Sequence, residues 1–172
     1  SAGNRIRMPE FSNNFDYIEN IHGLYIQAGN TFSRFSLQLG LRMEVSDVRT
    51  YLRETGEQNE RLYVDFFPTV HTSFQFNPVH STQLSYSRRI HRPHFWYLNP
   101  FYSYSDPRNI RTGNPNLEPE YTHSFEYGYL FKQTKVDFYT GVYYRYTRDV
   151  MQRISRVDTI SGSTVVISFP EN

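Results

Sequence analysis

The residues best suited to chemistry gather in one stretch, Ile90 to Glu120, which holds His91, Arg92, His94, Trp96, Tyr97, Tyr102, Tyr104, Asp106 and Arg108. Aromatic faces beside Arg and Asp can stack on and hydrogen-bond a sugar or a metal chelate, and long loops on rigid scaffolds often carry binding residues. Trp96, Tyr97, Tyr102 and Arg108 are therefore the candidate ligand-binding residues. The plainer expectation for the same rings is anchoring at an interface and packing within the loop. His91 and His94 stand three apart, a spacing that serves a metal on a helix, but Pro93 argues against a helix there. No metal site is expected. Asp65 and Asp137 could work as acid and base only if they met, and carboxylates solvated on polar strand faces are the simpler expectation. No phosphate-binding loop, dinucleotide fingerprint, nucleophile elbow or zinc-protease motif is present. The expectation is a protein that is not an enzyme and carries no cofactor.

The elements that would position these residues are strands. Period-two alternation dominates the chain. Leu62, Val64, Phe66, Pro68, Val70, Thr72, Phe74 and Phe76 form one face of a long run, and Tyr63, Asp65, Phe67, Thr69, His71, Ser73 and Gln75 form the other. Pro68 cannot donate to a ladder, so a bulge or an unpaired position is expected there. Similar patterns run over Phe35–Ser46, Thr82–Arg89, Tyr121–Phe131 and Lys135–Thr147. A less regular strand covers about Phe15 to Ala28, and a short one Thr164 to Phe169. These make about seven strands.

The connections alternate in length. Gly29–Ser33, Asn77–His80 and Lys132–Thr134 are short; Asp47–Arg61, Ile90–Glu120 and Arg148–Gly162 are long. Tight turns at one end and long loops at the other are the plan of a transmembrane barrel. The charged stretch around Arg53, Glu54, Glu57, Glu60 and Arg61 reads as a solvated loop.

Composition agrees with such a plan. Aromatics are 17% of the chain, with 15 Tyr and 14 Phe against one Trp, yet the mean hydropathy is −0.65. Rings with a polar tip suit surfaces that are half wet and half apolar. With 18 basic and 17 acidic residues the chain has no nucleic-acid footprint. It has no Cys, which excludes disulfides and thiolate metal sites. No apolar run is long enough for a transmembrane helix, and no secretory signal is visible at the start. An open wall with an odd number of strands leaves two unpaired edges, so a segment of a larger barrel is expected.

Two stretches carry a family resemblance: Leu84–Pro100, LSYSRRIHRPHFWYLNP, and Gly113–Tyr129, GNPNLEPEYTHSFEYGY. Tyr86, Ser87, Arg88 and Arg89 lead to the pair Arg92–Pro93. After the long loop come Gly113, Asn114, Pro115, Asn116, Leu117, Pro119 and Glu120, then a Tyr-rich strand. This order resembles the barrel domain of TonB-dependent outer-membrane receptors, especially the type common in the Bacteroidetes. Glu118 stands where Lys is common. The resemblance implies an all-β fold: an antiparallel meander of long strands forming part of the wall of a barrel of about 22 strands around a plug. It implies ligand uptake at the cell outer membrane. The implied partners are outer-membrane lipid, the rest of the barrel and its plug, an extracellular small ligand, and a TonB-type energy-coupling complex acting through an N-terminal box. Neither plug nor box is found in residues 1–172, so the chain is expected to be one barrel segment. Within GNPNLEPE, Pro115 and Pro119 fix φ and Asn114 and Asn116 favour turns, so a rigid return into the next strand is expected.

Two rivals share some of these signals. A soluble all-β ligand- or glycan-binding module using Trp96 and the loop tyrosines would alternate in the same way, with its apolar face buried in a sandwich. A barrel hydrolase would need a Ser–His or Asp–His constellation, which nothing local marks.

Overall fold

The computed structural model describes residues 14–103, 106, 108–160 and 163–172. Four long strands come first: β1 (Phe15–Phe32), β2 (Phe35–Leu52), β3 (Glu57–Gln75) and β4 (His80–His91). A single helical turn, α1 (Phe95–Leu98), and a short strand, β5 (Asn109–Arg111), lie in the following loop. The chain returns through β6 (Glu120–Gln133) and β7 (Val136–Arg148), then makes β8 (Gln152–Ile160) and β9 (Ser163–Glu171). The main sheet is an antiparallel meander in the order β1-β2-β3-β4-β6-β7. A second sheet has the order β5-β9-β8, with β5 parallel to β9. The meander thus holds six strands, and the expected strand at Thr164–Phe169 belongs to the second sheet instead. No helix among the described residues is long and apolar enough to cross a membrane, which says nothing of a strand-built barrel.

The alternation sorts the two faces as the sequence requires. Direct cross-strand pairs share a face, so the register Leu39↔Val70, Leu41↔Pro68 and Met43↔Phe66 sets one apolar face. Ile26↔Leu41, Val70↔Tyr86, Tyr86↔Phe125 and Phe125↔Tyr144 continue it across the sheet. This outer face is bare: Leu24 is 66% exposed and Val142 71%. It forms a belt from Phe35 to Val45 on β2, about 33 Å along the strand and about 24 Å high at a tilt near 45°. Aromatic rings border the belt. Phe74 and Phe76 meet edge to face at 5.0 Å near the short turns, with Phe131 and His80 beside them at 5.2 Å. Tyr86 packs 4.9 Å from Phe125 at the other border, and His123 accepts or donates at 2.9 Å to its hydroxyl.

The turns at one end are tight. Ser33 and Arg34 close β1–β2 with Ser33 at φ 55°, a left-handed residue of the kind two-residue hairpins need. The turn therefore falls wholly after Phe32, and Gly29 to Phe32 remain in the strand.

Three expectations change at the other end. Arg148–Gly162 is not a loop throughout: Gln152–Ile160 is β8, paired with β9 from Gln152↔Glu171 to Ile160↔Ser163. Asp47–Arg61 is not a loop. β2 and β3 pair without interruption from Phe35↔Phe74 to Leu52↔Glu57, and only Arg53–Gly56 turn, with Gly56 at φ 73°. Above Val45 the amphipathic sense reverses: Asp47 and Arg49 point outward while Ser46, Val48, Thr50 and Leu52 are buried inside. Charge on the outward positions is what disguised a strand as a loop. Arg53 bonds Asp16 at 2.8 Å and Glu54 accepts the Asn14 N–H at 2.7 Å, so the turn charges tie the hairpin to β1.

Pro68 makes no bulge against β2, where it pairs with Leu41. Its effect falls on the other side. Pairing of β3 with β4 ends at Thr69↔Ser87, one residue before the proline, while β4 stays paired to β6 as far as His91↔Glu120. Where the strands part, Arg88 donates to the Phe66 carbonyl at 2.7 Å and lies 3.7 Å from the buried Asp65. The Tyr121 hydroxyl donates to the same carboxylate at 3.0 Å. Arg88 also caps the Tyr121 ring at 4.4 Å, and Arg42 caps the fully buried Phe67 at 4.9 Å. Side chains supply here the bonds that the main chains do not.

Candidate functional site

The long connection from Arg92 to Pro119 does not hang free. It lies on the inner face of β1–β3 above the belt. Leu98 and Leu117 are buried there, facing Val48, Thr50, Arg61 and Tyr63 across a residual cavity of about 20 Å³. Arg92 is the polar anchor. It donates to Glu44 at 2.6 Å and to the Ser46 hydroxyl at 2.9 Å, and sits 3.6 Å from Glu19. Burial alone would lower the Arg92 pKa, but its bonds to Glu44 and Tyr63 hold it above the ordinary value. The neighbouring Tyr17 phenol is pushed well above its usual range by burial and by its hydrogen bond to Glu19. Arg61 donates to the Leu117 carbonyl, so a residue of the supposed solvated loop holds the signature segment in place.

GNPNLEPE acts as the fastening between elements. The Gly113 and Asn114 N–H groups donate to the Asn99 and Tyr97 carbonyls at 2.8 and 2.6 Å, closing the segment on the end of α1. A Cβ on Gly113 would stand 2.6 Å from the Tyr97 carbonyl oxygen, so only glycine fits. The Asn114 side chain accepts from Asn116 N at 2.9 Å and donates to the Pro170 carbonyl at 3.2 Å, joining the turn to β9. Asn172 pairs with the Glu118 main chain both ways, at 2.7 and 3.1 Å. Glu120 takes the Met151 N–H at 2.8 Å on one oxygen and the His91 ring nitrogen at 3.1 Å on the other. Leu117 follows a turn that its own N–H closes on the Asn114 carbonyl at 3.3 Å, and its side chain is buried. These contacts support the rigid return read from the motif.

The second sheet completes this layer. Ile110, Val165 and Ile167 form its small core, with Phe169 packed against it. Val166 N donates to the Arg108 carbonyl at 2.8 Å and Thr112 N to the Ser168 carbonyl at 3.0 Å.

The candidate residues are spread over this layer. Trp96 is on α1, 67% exposed, with its ring 4.4 Å from that of Phe95. Tyr97 is 38% exposed and lies under Arg153 of β8 at 5.8 Å. Tyr102 is 42% exposed, just before the Ser103–Arg111 bridge. Arg108 lies in the turn before β5, its N–H held at 2.9 Å by Asp106. Hydrogen bonds from the Asn109 side chain and then the Arg108 main chain hold the Asp106 carboxyl below its usual range. Tyr104 lies outside the described residues. His91 and His94 go separate ways: His91 binds Glu120, and His94 accepts from Trp96 N at 3.5 Å as the cap of α1. Asp65 and Asp137 lie at opposite ends of the wall, Asp65 opposite Glu44 and Asp137 opposite Lys132 beside a tight turn. Among the described residues no cluster of three His, Cys, Asp or Glu could hold a metal ion. Sequence reasoning missed Glu19, Glu44 and Arg61, whose partners lie far along the chain and leave no local signal.

A bare apolar outer belt, aromatic borders, a polar inner face and a layer of loops at one end define a segment of a membrane-barrel wall. Comparison with known proteins agrees. The model of the outer membrane protein beta-barrel family matches residues 1–172, and the chain belongs to that family. It is an outer-membrane protein, and its sheet is a segment of a β-barrel wall. Among solved structures it is similar to the hemophore receptor HasR of Serratia marcescens, in a complex with its hemophore HasA and heme. The TM-score is 0.72 at 13% identity, covering 90% of this chain and 29% of HasR. The copper transporter OprC gives 0.66 at 16% identity, covering 90% and 24%. The FrpB iron transporter of Neisseria meningitidis gives 0.61 at 15%, covering 94% and 22%. The chain thus spans less than a third of each of these proteins. No curated protein matches it.

Proposed function

We propose that this chain is the ligand-side part of the wall of an energy-coupled uptake receptor. It would work with the remaining strands, a plug, the lipid around its belt and a TonB-type complex. The wall acts by binding and passage, not by catalysis. The observation that carries this reading is the inward-docked loop layer. Arg92, Leu98 and Leu117 fix it to the inner face, and in this reading its exposed Trp96, Tyr97, Tyr102 and Arg108 are the residues that would meet an extracellular ligand. The similar folds of a hemophore receptor bound to heme, an iron transporter and a copper transporter support a scarce, chelated ligand class.

The reading is tested on the full-length receptor in cells. Accumulation of labelled haem, ferric siderophores and copper chelates is compared with the energy-coupling complex intact and deleted. Accumulation of at least one probe that requires the complex, and that falls when Trp96 and Tyr97 are both changed to Ala, is expected. Accumulation that ignores the complex would overturn it. The bare outer belt disfavours the soluble module, which needs that face covered.

A further inference from the structure

Below the loop layer the described inner face carries neighbouring cations, Arg89 and Arg145, that the fold does not use. Arg89 of β4 makes no hydrogen bond or ion pair among the described residues, and Arg145 of β7 touches only the Tyr143 ring, at 5.3 Å. This contrasts with Arg42, Arg88 and Arg92 on the same wall, each bonded to a carboxylate or lying within ion-pair distance of one. The register sets the two free guanidiniums on either side of β6. Arg89 is opposite Thr122 and Arg145 opposite Ser124, so both rise over a floor of two hydroxyls on one face. Together with Glu126 they line an inner-face pocket of about 280 Å³.

Planar guanidiniums approaching from two sides, with hydroxyl donors between them, are suited to an oxyanion, which accepts paired N–H bonds. Among the described residues Glu126 is the one acid in the lining, and it opposes Tyr143 rather than either arginine. The pair therefore leaves a net positive site, and unpaired cations on a concave wall raise the local concentration of anions.

We propose that Arg89 and Arg145 form an oxyanion-binding site on the lumenal wall, taking a carboxylate, phosphate or sulfate group of the transported ligand. The proposal deepens the uptake reading and rests on it, because that reading brings a ligand to this face. Ser124 orients the anion from below, and Thr122 can add its O–H when it accepts from the Thr147 hydroxyl, 3.0 Å away. Glu126 disfavours a second negative group at the same spot and favours a ligand with a donor or cation near its anionic group.

The test uses the full-length receptor purified from the outer membrane. Its arginines are modified with phenylglyoxal and read by peptide mass spectrometry. The probes are inorganic phosphate and succinate, with glycerol as the neutral control. Both Arg89 and Arg145 should react in the free protein. Either anion at ten times its dissociation constant should slow both about tenfold by mass action, and glycerol should slow neither. In R89Q, protection of Arg145 should be lost while barrel migration on unheated gels is unchanged. Protection by phosphate alone or by succinate alone would select the ligand's anionic group. Full reactivity of both arginines in saturating anion would overturn the site. So would two arginines already inert without added anion, since a neighbouring part of the receptor would then own them. Energy-dependent uptake can persist in either case, so failure here is distinct from failure of the uptake reading.

Discussion

Replacing Leu117 by Ala should unfasten the loop layer and leave the wall intact. Leu117 is 1% exposed, seated on Val48 and Leu98 against the inner face. Truncating a buried Leu to Ala costs about 2–5 kcal/mol, the spread reflecting how far the site collapses. The existing cavity is only about 20 Å³, so little room is available to hide the loss by rearrangement. A value near 3 kcal/mol is a reasonable centre, and at about 1.4 kcal/mol per decade it corresponds to about a hundredfold in a local opening equilibrium. The natural reporters are the Gly113 and Asn114 amides, which bond the Asn99 and Tyr97 carbonyls. Hydrogen exchange of the intact receptor in detergent should show these amides speeding by about two decades, as local opening predicts. Amides of the β2–β3 ladder around Arg42↔Phe67 should not change. Leu117→Met conserves volume and should change the rate by less than about one decade. Unchanged exchange at Gly113 and Asn114 would refute the argument that Leu117 holds the layer, and a wall that loosens equally would show that the layer is no separate unit.

Other consequences follow from the same geometry. Leu39→Arg places a charge at mid-belt on the outer face and should cost about 2–4 kcal/mol in lipid-vesicle unfolding; Gln38→Arg, one residue away on the inner face, should cost far less. Asp65→Ala strips Arg88 and the Tyr121 hydroxyl of their shared acceptor and should destabilise the intact barrel by about 1–3 kcal/mol in the same assay, discounted because the Arg88 side chain is 25% exposed. Gly113→Ala should displace α1, detected as a large shift in exchange at Asn99 and Asn114. Hydrogen bonding depresses the Asp106 pKa, so its contribution to the turn before β5 is fully present above the ordinary carboxylate range near pH 4. That contribution should disappear as pH falls through the lowered value, seen as faster relative exchange of the Arg108 and Asn109 amides in acid.

Much of the wall was legible in the sequence because a strand half in lipid and half facing water must alternate. Leu37, Leu39, Leu41 and Met43 announce their face without help from the rest of the chain. The tight turns and the return at Pro115 and Pro119 were legible for the same local reason. Asp47–Arg61 was not, because above the belt the outer surface meets water and the rule inverts. There Val48 and Leu52 turn inward under a loop that lies some fifty residues downstream. The signal that could have found this strand is the unbroken period two itself: Ser46, Val48, Thr50, Leu52 against Asp47, Arg49, Tyr51. The parallel pairing of β5 with β9, and the anchors from Arg92 to Glu19, Glu44 and Ser46, join positions with no common local pattern. Three-dimensional proximity alone reveals them. The role of Pro68 was half legible: a missing donor was certain, but which neighbour would lose it depends on the order of strands.

The most direct test of the account is a cysteine scan along β2. The chain has no Cys of its own, so once any cysteines elsewhere in the receptor are replaced, single cysteines from Leu37 to Met43 report alone. In the full-length receptor in vesicles, labels at Leu37, Leu39, Leu41 and Met43 should be quenched by a lipid-phase quencher, while Gln38 and Arg42 should react with a water-borne reagent. That alternation is what a barrel wall with this register requires. Uniform access to water along the strand, or lipid contact on the even positions, would contradict it.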